Sequence, residues 1–170
     1  MAGQPIRRVA QGTLSTQLFK VHLRFVNIDG LGQYMASATP GSKTCLCGSK
    51  KPYAQCCEPL HRGAAAATAE ALMRSRYSAF ALGLDEYIQR SWHSSKRPPL
   101  NEISDNEKPR WIGLQIKRHE QLDSDRAIVE FVARYKINGR AFVLHESSRF
   151  VRADGHWFYI DGITMPPHES

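Results

Sequence analysis

Two hydrophobic periods divide the chain. In "TAEALMRSRYSAFALG" the residues Leu72, Met73, Tyr77 and Phe80 recur at helical spacing, which marks one buried helix face. Thr68 is the expected N-cap, because its hydroxyl can accept from an unpaired N–H of the first turn. Glu70 suits the positive end of the helix dipole, and Gly83 marks the stop. "LDEYIQRSWH" places Leu84, Tyr87, Ile88 and Trp92 on one face, predicting a second short helix.

From Trp111 the period falls to two. In "RAIVEFVARYKI" the residues Val129, Phe131, Ala133, Tyr135 and Ile137 alternate with Glu130, Arg134 and Lys136, so one side of the strand is apolar and the other wet. Asn138-Gly139 predicts a type I′ hairpin, which requires positive φ at both central residues. "RAFVLHESSRFVR" is the return strand, and Asp154-Gly155 turns the chain into "HWFYI". With "WIGLQIKRHE" ahead of them, these segments predict a four-stranded antiparallel meander. Helices followed by an antiparallel sheet make an α+β architecture.

Between the two periods, residues 94–110 are rich in Pro, Ser, Asn, Asp and Lys. A connection of this length predicts a lid or a short helix within it. Residues 1–44 carry one acid, Asp29, and read as a flexible extension outside the fold. Their basic, acid-poor composition resembles a transit peptide. A second reading makes them non-native, with Met35 as the start. "LFKVHLRFV" (Leu18 to Val26) nevertheless alternates well enough for a short strand.

At 170 residues, 42% hydrophobic and 23% charged, the chain suits one ordinary domain with a small appendage. The net charge of +7 invites a nucleic-acid, ribosome or acidic-partner reading, but the basic residues are scattered and form no long run. No stretch approaches the roughly 18–20 apolar residues of a membrane helix, and no secretory pattern opens the chain. We therefore expect a cytoplasmic protein without membrane contact, in a compartment where structural disulfides are rare.

All four cysteines lie in "CLCGSKKPYAQCC", as Cys45, Cys47, Cys56 and Cys57. Four thiolates are a complete donor set for one tetrahedral Zn²⁺, with Zn–S near 2.3 Å. The loop turns through Gly48 and Ser49 to bring the second pair back to the first. Lys43, Lys50, Lys51 and Arg62 are available to offset the net charge of such a site. Redox-active or unliganded thiols and a disulfide stay open as alternatives; a bond between adjacent Cys56 and Cys57 would be strained, and the C-x-x-C spacing of a redox site is absent. His61 is available as a replacement ligand, although its setting reads as an ordinary surface histidine. A loop with four protein ligands leaves no open position for water, so the expected zinc, one per chain, is structural.

"CLCGSKKPYAQCC" resembles the SEC-C motif, the zinc-binding element at the C-terminus of the SecA preprotein translocase ATPase. The run "CLCGSKKPYAQCCEPLHRG", "TAEALMRSRYSAFALGLDEYI", "SWH", "ESSRF" and "HWFYIDG" resembles the YchJ-type bacterial proteins. The resemblance implies a SEC-C motif at 45–62 and a nuclear transport factor 2-like domain at 66–165, a cone-shaped curved antiparallel sheet with helices. It assigns Cys45, Cys47, Cys56 and Cys57 as the zinc ligands. The motif reads Gly-Ser-Gly after its second cysteine, and here Lys50 stands at the second glycine. If that position needs positive φ, Lys50 costs about 1 kcal/mol relative to glycine. The second SEC-C motif of some members has no counterpart in "GITMPPHES".

The expected function is that of a non-catalytic adaptor whose zinc loop docks a protein. The alternative is a small-molecule binder or enzyme using the cone cavity, as in ketosteroid isomerase and scytalone dehydratase. For that chemistry the available groups are His93, His145, Glu146 and Asp161, with Tyr77, Tyr135 or Tyr159 as hydroxyl donors. None sits in a catalytic motif, so no catalytic residue is assigned. His93 reads as a helix-end or loop residue. Glu146 and Arg149, three apart, belong on opposite sides of their strand. At least one of Arg74 and Arg76, on an otherwise apolar helix, is expected to pair with an acid such as Glu146 or Asp161, as structural glue.

Overall fold

In a computed structural model, residues 43–104 and 109–166 are described. The strand expected at 18–26 and the alternative start at Met35 lie outside them. A 3₁₀ turn at Tyr53–Gln55 and a one-turn helix α1 (Glu58–His61) close the cysteine loop. Helices α2 (Ala69–Leu82) and α3 (Asp85–Arg90) follow, and α4 (Leu100–Ser104) is the short helix expected inside the 94–110 connection. The strands are β1 (Arg110–Gln121), β2 (Arg126–Ile137), β3 (Arg140–Ala153) and β4 (His156–Thr164).

Helix α2 begins and ends where its sequence dictates. The Thr68 hydroxyl accepts from the Ala71 N–H at 3.1 Å, and Gly83 closes the helix in the left-handed region at φ 70°. Leu72, Met73 and Tyr77 are buried, as the helical spacing requires.

The sheet is a consecutive antiparallel meander, β1-β2-β3-β4. Both tight turns take the geometry their dipeptides demand: φ is 49° and 82° at Asn138 and Gly139, and 50° and 76° at Asp154 and Gly155. The β1–β2 connection is held by the Asp123 carboxylate, which accepts from the Asp125 N–H at 2.9 Å and from Arg126 at 2.6 Å. Bulges in β1, at Ile112 between Trp111 and Gly113 and at Lys117 between Ile116 and Arg118, and in β4, at Ile160 opposite Arg149/Phe150, bend the sheet. Its concave face packs Val129, Phe131, Ala133, Phe150, Trp157 and Tyr159 against α2 and Trp92.

Both sheet edges have neighbours. Along β4, His93 N–H donates to the Tyr159 carbonyl (2.8 Å) and Tyr159 N–H to the Ser91 carbonyl (2.9 Å). At β1 the cysteine loop comes so close that a Cβ on Gly48 would lie 3.1 Å from the Leu114 carbonyl oxygen. Covering an edge in this way removes a template for intermolecular strand pairing.

The arginine expectation is corrected in part. Asp161 is taken by Arg149, at 2.5 Å on the outer face, and Arg74 pairs with Glu70 at 2.8 Å. Arg76 is buried, with its guanidinium 4.2 Å from the centre of the Tyr159 ring and donating to Ser91 Oγ and the Ile88 carbonyl. Arg76 and Glu146 attract one another, yet among the described residues they form no contact ion pair. The aromatic ring and the hydroxyl between them take the direct contacts instead.

Candidate metal centre

The alternation of the C-x-C pair sets the geometry of the loop. Cys45 and Cys47 are buried, and Cys56 and Cys57 return from the 3₁₀ turn to face them. The turn is closed by Cys45 N–H to the Lys51 carbonyl (2.8 Å) and Tyr53 N–H to the Lys43 carbonyl (2.9 Å). All four sulfurs lie within 4.8 Å of one another, and all four cysteines are free. The Cys47–Cys56 and Cys56–Cys57 sulfur separations are 3.5 and 3.9 Å. The edge of a tetrahedron with Zn–S bonds of 2.3 Å is about 3.8 Å. A disulfide needs about 2.05 Å. The sulfurs therefore fit a tetrahedral metal ion.

The chemistry of the donors agrees. Four thiols alone cannot all ionise at such distances. The hydrogen bond from Cys57, with help from Ser49, pulls the Cys47 thiol down to about 4. The same bond pushes the Cys57 thiol up, and burial raises Cys45. A divalent cation at their centre inverts this repulsion. Ser49 Oγ lies 3.1 Å from Cys56 Sγ, a donor aimed at a sulfur. Of the cations expected to offset the site, Arg62 instead pairs with Glu58 at 2.6 Å, and Lys43, Lys50 and Lys51 are exposed.

The loop is seated on the domain. Arg74 Nη1 donates to the Cys47 carbonyl at 3.0 Å. His61 corrects its expected role: it is buried, not a surface residue, and both ring nitrogens are engaged. Nε2 donates to the Ser75 carbonyl (2.9 Å), which leaves Nδ1 to accept from the Tyr53 hydroxyl (2.8 Å). Burial lowers the His61 pKa, favouring this neutral form. Its ring is thus a clip between loop and helix and has no lone pair left for a metal.

Lys50 sits at φ 63°, the conformation for which its position in the SEC-C motif carries glycine. Lys50→Gly should stabilise the protein by about 0.5–1 kcal/mol, read from the urea midpoint at unchanged slope; a loss of stability would show that the lysine side chain compensates the strain.

The candidate groups for chemistry separate by face. His145 is buried but points away from the core, its Nε2 donating to the Glu130 carboxylate at 2.8 Å. Asp161 is on the same outer face with Arg149, and His93 is half-buried in the loop after α3. Tyr135 is buried among Trp111 and Phe142. Of the two candidate acids, Glu146 and not Asp161 faces inward, so Glu146 and Arg149 do stand on opposite sides. Its Oε1 accepts from the Ser148 hydroxyl (2.6 Å) and the Tyr159 hydroxyl (3.2 Å). Burial pushes its carboxyl up, against the pull of Ser148, Tyr159 and Arg76. With Arg76, Tyr77 and Tyr159 it lines a cavity of about 30 Å³. Sequence reasoning missed Ser148 and Gly162, whose smallness on inward strand positions makes room for this carboxylate. A Cβ on Gly162 would lie 2.2 Å from Glu146 Oε1.

The family model of the YchJ middle domain, nuclear transport factor 2-like, matches residues 68–162. A UPF0225 protein of Ralstonia nicotianae is 51% identical over 129 residues, covering 69% of this chain and 89% of that protein. Another, from Xanthomonas campestris pv. campestris, is 45% identical over 128 residues, covering 75% and 98%. The solution structure of a SEC-C motif containing protein from Rhodopseudomonas palustris is similar with TM-score 0.67 at 34% identity, over 73% of this chain and 100% of that one. A crystal structure of a SEC-C motif containing protein from Psychrobacter arcticus gives 0.63 at 30% identity, over 74% and 85%. With its clustered cysteines beside an α+β domain of this kind, the chain belongs to the YchJ-type, UPF0225 family.

Proposed function

We propose that the protein is a zinc-binding adaptor, whose metal is structural and whose cysteine loop presents a docking surface to another protein. Zn²⁺ suits four thiolates at tetrahedral separations, and Cys45, Cys47, Cys56 and Cys57 are its ligands. The ion would cross-link the two ends of the loop; the chain's own residues do the recognition. One observation carries this reading. Leu46 is 49% exposed, although the cysteines on either side of it are 3% and 0% exposed. With both neighbours turned inward as ligands, the leucine is held out as a rigid apolar anchor. Exposed Lys50 and Lys51 flank the same loop. The partner that fits is a protein with an apolar pocket rimmed by carboxylates. Among the described residues no helix is long and apolar enough to cross a membrane, and a reducing cytoplasm would keep the thiolates available to the metal.

Leu46→Ser separates docking from folding, because it alters an exposed side chain and no ligand. Pull-downs should lose the same set of proteins with Leu46→Ser, with Cys56→Ser and after chelation. Val143→Ser, which changes an equally exposed residue on the sheet (50% exposed), should keep that set. Retention of every partner by Leu46→Ser would overturn the reading.

A further inference from the structure

The outer face of the sheet carries a row of cations that the described residues do not balance. Arg134 and Lys136 alternate with inward Ala133 and Tyr135, and Arg110 lies directly opposite Lys136 on β1. All three are exposed. Like charges opposite one another across strands repel, so the arrangement is unfavourable in the free chain. The arginine–carboxylate pairs of the sheet lie toward its other end: Arg118 with Glu120 and Glu130, Arg126 with Asp123, Arg149 with Asp161. Among the described residues no acid pairs with Arg110, Arg134 or Lys136.

Aliphatic side chains flank the row. Val143, opposite Arg134 on β3, and Ile112, at the β1 bulge, are both exposed. Gly113 stands opposite Arg134 on the other side, and a Cβ there would meet nothing within 4 Å. The result is a shallow trough, basic along β2 and apolar at its sides. It continues the docking loop, because Gly48 of that loop packs on the carbonyl of Leu114, next to Gly113.

Charge and shape select the occupant. Nucleic acid would supply the charge, but the exposed apolar groups here are aliphatic and give bases no ring to stack on. The described acids of the outer face, Glu120, Glu130 and Asp161, are held by arginines of their own chain. A second copy laid face to face would therefore bring no spare carboxylate. Alternate positions on a strand, such as Arg134 and Lys136, repeat every 6–7 Å or about that, as do alternate side chains of an extended peptide.

We propose that this trough docks an extended acidic segment of a protein partner, its carboxylates on Arg110, Arg134 and Lys136 and its apolar side chains against Ile112 and Val143. The proposal rests on the adaptor reading for the kind of partner, and adds a second contact beyond Leu46.

The test is a ¹H–¹⁵N NMR titration of the full, metal-loaded chain with a short capped peptide alternating Glu and Leu. Saturable shifts should centre on the amides of Gly113, Arg134 and Lys136. The double variant Arg134→Glu, Lys136→Glu should weaken binding about tenfold or more. The double variant Lys96→Glu, Arg152→Glu changes the net charge equally at exposed residues elsewhere, and should leave the affinity within about twofold. The peptide with Gln for Glu, and an oligothymidylate of equal charge, should each bind about tenfold more weakly. Leu46→Ser should bind the peptide as the unaltered chain does. Absence of peptide binding thus overturns this inference alone and leaves the pull-downs to judge the adaptor reading. Equal loss in the two charge-reversed variants, or oligothymidylate binding as tightly as the peptide, would overturn it as well. So would shifts at these amides that follow protein concentration instead of peptide, the mark of a second copy.

Discussion

Replacing Cys47 with Ser, or stripping the metal with a strong chelator, should unfold the cysteine loop and leave the domain standing but weakened. Among the described residues the loop has no aliphatic core of its own: Cys45, Cys47 and Cys57 are buried against one another, with Tyr53 and Cys56 packed beside them. In the proposed zinc-bound form the ion would contribute about 10–16 kcal/mol, as in zinc-finger peptides, so the loop is expected to lose its order when the ion is removed. The domain keeps its sheet and α2, which do not depend on the metal. It loses the Arg74 bond to the Cys47 carbonyl and the His61 bond to the Ser75 carbonyl. At about 1 kcal/mol for a neutral bond and 1.5–3 for a charged donor, the loss is about 3 kcal/mol. That corresponds to a fall of roughly 15 °C in melting temperature for a domain of about 100 residues. Hydrogen exchange is the decisive readout: amides from Cys45 to Arg62 should lose protection while those of β2 and β3 keep it. Before chelation, metal analysis should give about one zinc per chain, and X-ray absorption a shell of four sulfurs near 2.3 Å. Full protection of the loop in metal-free protein would sink the structural role; iron in place of zinc would overturn the metal assignment alone.

What could be read from the sequence was local. Thr68, Gly83, Asn138-Gly139 and Asp154-Gly155 each act through their own backbone, so their roles follow from residue type and position. Lys50 is similar: its positive φ is a property of the turn, visible from the glycine it replaces. The inward set Val129, Phe131, Ala133 and Tyr135 was legible because strand period fixes face. His61 was not, because "EPLHRG" has the composition of a surface turn. Its burial is decided by Tyr53, Ser75 and Tyr87, which come from separate elements. Arg76 stood out as a charge on an apolar helix face, but its partner is a ring on β4 and its counter-charge lies across a cavity. An arginine of α2 does pair with an acid, Arg74 with Glu70, but Glu146 is not that partner, because strand period gives its face and not the distance it leaves. The same reason hid Gly162, which in the strand pattern is only a missing side chain.

Gly162→Ala should therefore be among the most damaging single-methyl additions to the domain. The new Cβ would lie 2.2, 2.5 and 2.8 Å from Oε1, Cδ and Cγ of Glu146, so the whole end of that side chain must move. It cannot move without giving up the Ser148 and Tyr159 hydroxyls. Leaving a buried carboxylate without those partners costs about 1–3 kcal/mol or more, and overpacking adds about 1–3. We expect a loss of about 3–5 kcal/mol by urea unfolding. Because alanine in a strand is itself no worse than glycine, the penalty should belong to the pair and not to position 162. Glu146→Ala removes the obstructing atoms, and Gly162→Ala in that background should be close to neutral. The double-mutant cycle should then yield a coupling of about 3–5 kcal/mol between residues on adjacent strands. Equal costs in both backgrounds would place the effect in the β4 backbone and refute the steric account. A large coupling would show that the sheet sacrifices a side chain on β4 to hold one carboxylate, and only that carboxylate, at the wall of the cavity.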